Sequence, residues 1–146
     1  MEFHHVGLFV ESLELGVEYL ESTLDIELTS ERIDDPLIDV ALIFLKDKSG
    51  VTYELVAPLS KESPVIGVMN RGHGFLNHLA YISYNFDFDV SRLRKQHNIP
   101  LGPARPAKAF GGGRVIFFLN KLNFIIEVID GENIEMDKLC KSKEKV

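Results

Sequence analysis

The chain has no tryptophan and a single cysteine, Cys140, among its 146 residues. One thiol cannot close an internal disulfide, so the fold has to rest on a core and not on cross-links. No apolar run approaches the roughly 20 residues that a membrane helix needs, and no membrane partner is expected. The 6 prolines and 11 glycines show no period and form no low-complexity stretch, which excludes collagen-like and low-complexity architectures. The opening MEFHHVGLFV carries neither a basic stretch nor a small-residue cleavage site, so no secretory signal is read and a cytoplasmic location is expected. Basic charge is also short: 16 Lys and Arg stand against 22 Asp and Glu, for a formal net charge of −6. A phosphate backbone needs a basic face, so a nucleic-acid partner is not expected and a small molecule is. What remains is 45% hydrophobic and 26% charged, ordinary for one soluble domain over residues 1–146.

Residues 2–10 are rich in strand formers. Ser12 then stands where it can cap a helix in which Leu13, Val17, Leu20 and Leu24 recur at helical spacing, with Glu14 near the positive end. Strands are predicted at Ile26 to Ile33, Leu37 to Lys46 and Val51 to Ala57, with turns at Asp34, Asp35 and Pro36 and at Lys48, Ser49 and Gly50. A connector from Pro58 to Gly74 holds a short helix around Ser63 to Met69. The order then restarts with a strand from Phe75 to Tyr84 and a helix that Asp87 is expected to cap.

Laying His5 on His78 aligns the second half with the first at one constant offset and without a gap. The same shift places Leu13 on Phe86, Val17 on Val90, Leu20 on Leu93, Ile26 on Ile99 and Glu54 on Glu127, and sets Leu42, Ile43 and Phe44 on Val115, Ile116 and Phe117. The expected fold is therefore α+β, with two tandem βαβββ modules forming a cupped, partly closed mixed sheet around a metal site. Module one covers about 1–58, the connector 59–74, module two about 75–130, and a charged tail 131–146.

Glu54 in VTYELVA and Glu127 in NFIIEVI sit in apolar strand-like runs, where an uncompensated carboxylate would cost several kcal/mol. His5 shares a strand face with Phe3, Gly7 and Phe9, and the glycine leaves room beside the imidazole; His78 is followed on its own face by Ala80. A lone strand histidine or glutamate is usually a structural residue. A His-to-Glu separation that is identical in both halves is a different matter. If the modules pair about a pseudo-two-fold axis, His5, Glu54, His78 and Glu127 converge. Two imidazoles and two carboxylates then suit one divalent ion per chain, Zn²⁺, Co²⁺, Ni²⁺ or Mn²⁺. His4 points to the other face under strict alternation, and His73 and His97 fall in a loop and at a helix end; all three are read as non-ligands. The run Gly111, Gly112, Gly113 lacks a phosphate-loop ending and is read as a flexible lid or a place of close approach. Arg71, Arg105, Lys108 and Arg114 are read as loop charges.

His5-Val6-Gly7, Tyr53-Glu54-Leu55 with Pro58, Gly74-Phe75-Leu76-Asn77-His78 and Ile126-Glu127-Val128 together resemble the vicinal oxygen chelate (glyoxalase/bleomycin resistance/dioxygenase) superfamily over roughly residues 3–130. Ser63-Pro64-Val65-Ile66 and Arg71-Gly72-His73-Gly74 look most like the methylmalonyl-CoA epimerases, with the glyoxalase I enzymes next. The chain differs from the epimerases in its short Asn120-Lys121-Leu122-Asn123 connection and in carrying Asn77 where a second histidine is familiar.

The resemblance implies a homodimer of paired modules with His5, Glu54, His78 and Glu127 as metal ligands. It implies proton abstraction next to a carbonyl through a metal-bound enediolate, with Glu127 and Asp39, nearest match to the second epimerase base, as catalytic acid and base whose pKa values are raised toward neutrality. The implied substrate is an acyl-CoA thioester, or a thiol adduct if the chain is a glyoxalase I-like lactoylglutathione lyase. A non-enzymatic antibiotic-binding protein is the reading from a different class.

Overall fold

The computed structural model describes residues 1–71 and 76–134. His73, the Gly72, Gly74 and Phe75 of the quoted motifs, Cys140 and the tail from 135 onward lie outside the described residues. Among the described residues the chain forms ten strands and three α-helices, an α+β arrangement with parallel and antiparallel pairing, as the sequence pattern predicts.

Two units divide the described residues, one made of 6–71 with 76 and the other of 1–5 with 77–134. The first contains the second half of β1 (Glu2–Phe9), then α1 (Leu13–Thr23), β2 (Ile26–Thr29), β3 (Ile33–Asp35), β4 (Val40–Asp47), β5 (Thr52–Pro58) and α2 (Pro64–Met69). Its strand order is β2-β4-β5-β1, with β3 also on β4 and β5 running parallel to β1. Ser12 caps α1, its side chain accepting from the Leu15 N–H, and Glu14 lies in the first turn. Leu13, Val17 and Leu20 then face the sheet and pack with Ala41, Leu45, Leu55 and Ala57.

The second unit repeats this with β6 (Leu76–Ser83), α3 (Phe86–Lys95), the short β7 (Ile99–Pro100) and β8 (Arg105–Pro106), β9 (Arg114–Leu119) and β10 (Ile125–Asp130). The first residues of β1 belong to it, and its order is β1-β6-β10-β9-β7 with β8 on β9. Phe86, Leu93, Ile116, Phe118 and Val128 form its core, with Val90 and Ile126 against them. Under the repeat these five are the counterparts of Leu13, Leu20, Ile43, Leu45 and Leu55 in the first core.

The hairpin turns obey the same offset. Asp47 Oδ1 accepts from the Ser49 and Val51 N–H groups, and Gly50 is left-handed at φ 90°. Asn120 Oδ1 accepts from Leu122 and Phe124, and Asn123 is left-handed at φ 62°. An Asx side chain starts each turn and a residue tolerant of positive φ ends it.

The structure corrects several boundaries. The stretch Ile26 to Ile33 is two strands, and Asp34 and Asp35, read as a turn, belong to β3 and pair with Ala41 and Val40. The chain turns at 36–39, where Asp35 Oδ1 accepts from the Leu37 N–H, so β4 begins at Val40 and not at Leu37. Asp87 does not cap α3: Asn85 is the N-cap, at the position equivalent to Ser12, and Asp87 stands in the first turn where Glu14 stands in α1. The glycine run is a closed turn instead of a lid. Gly111 and Gly112 have φ of 62° and 85°, and the Gly112 and Gly113 N–H groups bond back to the carbonyls of Ala107 and Phe110.

Candidate metal centre

Strand register places the polar residues. In the second unit β10 runs parallel to β6 with Ile125 beside His78 and Glu127 beside Ala80. Side chains two apart share a face, so Glu127 projects to the same side as His78, next to a methyl group that leaves space. In the first unit Glu54 of β5 stands beside Gly7 of β1. His5, Glu54, His78 and Glu127 are all buried, at 0%, 6%, 4% and 3% exposure, and each offers a ligand atom.

Within the second unit three of those atoms meet. His5 Nε2 and His78 Nε2 are 3.1 Å apart, and Glu127 Oε2 lies 3.1 Å from His78 Nε2 and 3.4 Å from His5 Nε2. Glu127 Oε2 is buried and takes no hydrogen bond despite this proximity. The far edge of each ring explains why. His78 Nδ1 donates to Asn77 Oδ1 at 2.9 Å, since an amide oxygen only accepts; in the neutral ring this leaves Nε2 as a lone pair. His5 Nδ1 lies 2.7 Å from His4 Nδ1, so a proton sits between them. With the His78 Nε2 lone pair facing it at 3.1 Å, the Glu127 carboxylate is repelled unless a positive charge is shared between the two.

Burial is the largest influence on the Glu127 carboxyl and pushes its pKa up. In their protonated form, however, the two imidazoles donate to it and carry charge, and together they outweigh burial and hold it below the ordinary glutamate value. The pKa raised toward neutrality that the sequence suggests is therefore corrected: neighbours, and not desolvation, decide this group. The donor types and the orphaned oxygen fit a divalent cation.

Aromatic rings fix the imidazoles. His5 stacks on Phe110 with centroids 6.2 Å apart and planes 14° from parallel, and His78 meets the edge of Phe117 at 5.5 Å. Arg105 stands 5.9 Å over the Phe117 ring. Arg114 is not a loop charge: it bonds Asp130 and Asp87 and lies 4.4 Å over Phe86.

Asp39 is not on the third strand. It ends the turn before β4 at φ 56°, and its Oδ2 accepts from the Ser60 hydroxyl at 2.5 Å. His97 stands just beyond α3 at φ 65°. His4 departs from the sequence reading, which sends it to the other face, because its ring reaches the edge of His5. It and Asn77 are detectable in the sequence as the residues one step before each histidine, related by the repeat.

The two repeated units have an α+β fold whose buried His and Glu residues could hold a metal ion, and comparison with known proteins gives the family. A model of the Glyoxalase/Bleomycin resistance protein/Dioxygenase superfamily matches residues 4–117, and the chain belongs to that superfamily. No curated protein matches it in sequence. Among solved structures, methylmalonyl-CoA epimerase from Mycobacterium tuberculosis is similar at 22% identity, covering 88% of this chain and 87% of that one, with a TM-score of 0.74. A hypothetical protein from Bacillus halodurans C-125 is similar at 20% identity over 88% and 93%, with a TM-score of 0.75. A Streptomyces coelicolor methylmalonyl-CoA epimerase variant in complex with 2-nitronate-propionyl-CoA is similar at 19% identity over 89% and 96%, TM-score 0.72. At these identities the likeness is one of fold. No helix among the described residues is long and apolar enough to cross a membrane.

Proposed function

We propose that this chain is a metal-dependent epimerase or isomerase that moves a proton next to a carbonyl group, acting on an acyl-CoA thioester as a methylmalonyl-CoA epimerase does. The observation that carries the reading is the buried meeting of His5 Nε2, His78 Nε2 and Glu127 Oε2 with that oxygen lacking a hydrogen bond. Glu54 is the fourth ligand in this proposal. Its support is the duplicated register: Glu54 stands beside Gly7, two positions beyond His5, as Glu127 stands beside Ala80, two positions beyond His78. The set suits one Zn²⁺, Co²⁺, Ni²⁺ or Mn²⁺ per chain. When bound, such an ion stabilises the negative charge that develops on a substrate oxygen as the α-proton leaves.

The remaining work belongs to side chains. Glu127 removes the proton from its place beside the small Ala80. Asp39 is the second acid and base of this proposal, as the family resemblance implies. The Ser60 hydroxyl fixes the direction of its carboxylate. The reading includes a homodimer, as the family resemblance implies.

The test is deuterium exchange. Metal-loaded protein in D₂O exchanges the α-proton of methylmalonyl-CoA, and Glu127→Gln stops the exchange. If methylmalonyl-CoA stays inert while the hemithioacetal of methylglyoxal with a thiol is converted, the protein is a glyoxalase-type lyase. Failure with both, together with no bound ion, makes it a binding protein.

A further inference from the structure

Each imidazole of the cluster is gripped at Nδ1 by the side chain of the residue immediately before it. Asn77 Oδ1 is 2.9 Å from His78 Nδ1, and His4 Nδ1 is 2.7 Å from His5 Nδ1. In a strand the preceding side chain ordinarily points to the opposite face. Here it turns back to the ring edge twice, at positions related by the same offset that carries His5 onto His78. An amide in one half and an imidazole in the other occupy one role.

We propose that Asn77 and His4 are positioning residues that lock the tautomers of His78 and His5, with the proton on Nδ1 and the lone pair on Nε2, so that both inward nitrogens stand ready for a cation. The proposal rests on the metal reading above and extends it to two side chains outside the ligand set. Asn77 achieves this because its oxygen has no proton to give, which obliges His78 Nδ1 to be the donor. In this proposal His4 accepts with its own Nδ1, a direction the 2.7 Å contact allows, and its ring is steadied edge to face against Phe110 at 5.7 Å. Without these acceptors each ring would be at liberty to adopt the Nε2–H tautomer. That would aim a proton at the partner imidazole and at the place of the ion. Outer partners of this kind typically change metal affinity by about 10- to 100-fold.

Two readouts test it. The first is Co²⁺ affinity, followed by visible absorption and calorimetry, for the wild type, Asn77→Leu, Asn77→Asp and His4→Phe, with thermal unfolding measured beside it. Asn77→Leu and His4→Phe are expected to weaken binding about 10- to 100-fold, while Asn77→Asp, which still accepts, binds close to the wild type. The second readout is the long-range ¹H–¹⁵N spectrum of the histidine rings in metal-free protein. His5 and His78 are expected to carry their proton on Nδ1, and in Asn77→Leu His78 is expected to move to Nε2–H. A wild-type His78 protonated on Nε2 overturns the proposal, as does an Asn77→Asp variant that loses as much affinity as Asn77→Leu. A wild type that takes up no Co²⁺ yet shows both Nδ1 protons contradicts the metal centre and supports the tautomer lock.

Discussion

Ala41 and Ala57 face each other across the β4–β5 ladder, both buried and apolar, whereas the equivalent places in the second half hold Arg114 and Asp130, joined at 2.8 Å. On the helices the contrast recurs. Gly16 is packed so closely that a Cβ there would meet Leu55 and Val10 side chains at 3.0 and 3.2 Å; its counterpart Asp89 instead accepts from the Ser83 hydroxyl and from Arg92. The first unit fills these positions with small apolar residues and the second with a polar network. The histidines and glutamates, by contrast, keep their identity at the same offset. Polar identity inside the apolar strands is kept only at the buried His and Glu positions, while apolar identity such as Val17 with Val90 and Leu20 with Leu93 is kept where the helices pack on the sheet.

Breaking a shared position has the largest expected effect. Glu127→Gln should slow proton exchange by about 10²- to 10⁴-fold, the range of a general base, with the thermal transition retained; an unchanged rate would move Glu127 out of the chemistry. Breaking a divergent position should cost stability and leave ion uptake alone. Arg114→Ala takes the cation from the buried Asp130 carboxylate and leaves it the bond from the Glu132 N–H, so urea unfolding should show a loss of about 1–3 kcal/mol. The double variant Arg114→Ala, Asp130→Ala copies the first unit and should recover much of that loss, because removing both partners leaves no unpaired charge. A double variant no better than the single one would show that the pair is more than a substitute for Ala41 and Ala57.

Smaller effects sharpen the same contrast at the helix starts. Ser12→Ala should cost ~1 kcal/mol, since the serine side chain accepts from Leu15, and Asn85→Ala should cost less, since Asn85 makes no such bond. Smallest is the acid limb of stability. Burial acts most strongly on Asp89 and raises its pKa, but the bonds from Ser83 and Arg92 and the Arg92 charge lower it further, so the folded value lies below the unfolded one. The stabilisation is thus fully present above the ordinary aspartate value of about 3.9 and is lost as pH falls through the depressed folded value. Asp89→Asn should flatten that limb of a stability-against-pH curve, with no counterpart at Gly16.

Much of this is legible in the sequence because a duplicated chain states its pattern twice. Leu13, Val17 and Leu20 announce both the first helix and, through Phe86, Val90 and Leu93, the second. The His and Glu positions stand out because polar side chains recur in apolar strands. Local propensity puts the cap of α3 at Asp87, although the offset from Ser12 leads to Asn85; the two signals compete, and the repeat is right. Asp39 reads as a strand residue because Leu37 and Ile38 look like strand formers, while Asp35 bonding to the Leu37 amide turns the chain first. Arg114 reads as a loop charge since a sequence does not reveal that Asp130 and Asp87 await it. His4 and Asn77 escape notice because strict alternation sends them to the far face, and only the torsions of the side chains bring them back to the ring edge.

The central claim is a cation held by the duplicated histidines and glutamates, and metal content after equilibrium dialysis tests it most directly. The wild-type chain should retain one divalent ion, with His5→Ala and Glu127→Ala retaining little while still folded. A wild type that holds none, or a His5→Ala variant that holds as much, would contradict the account.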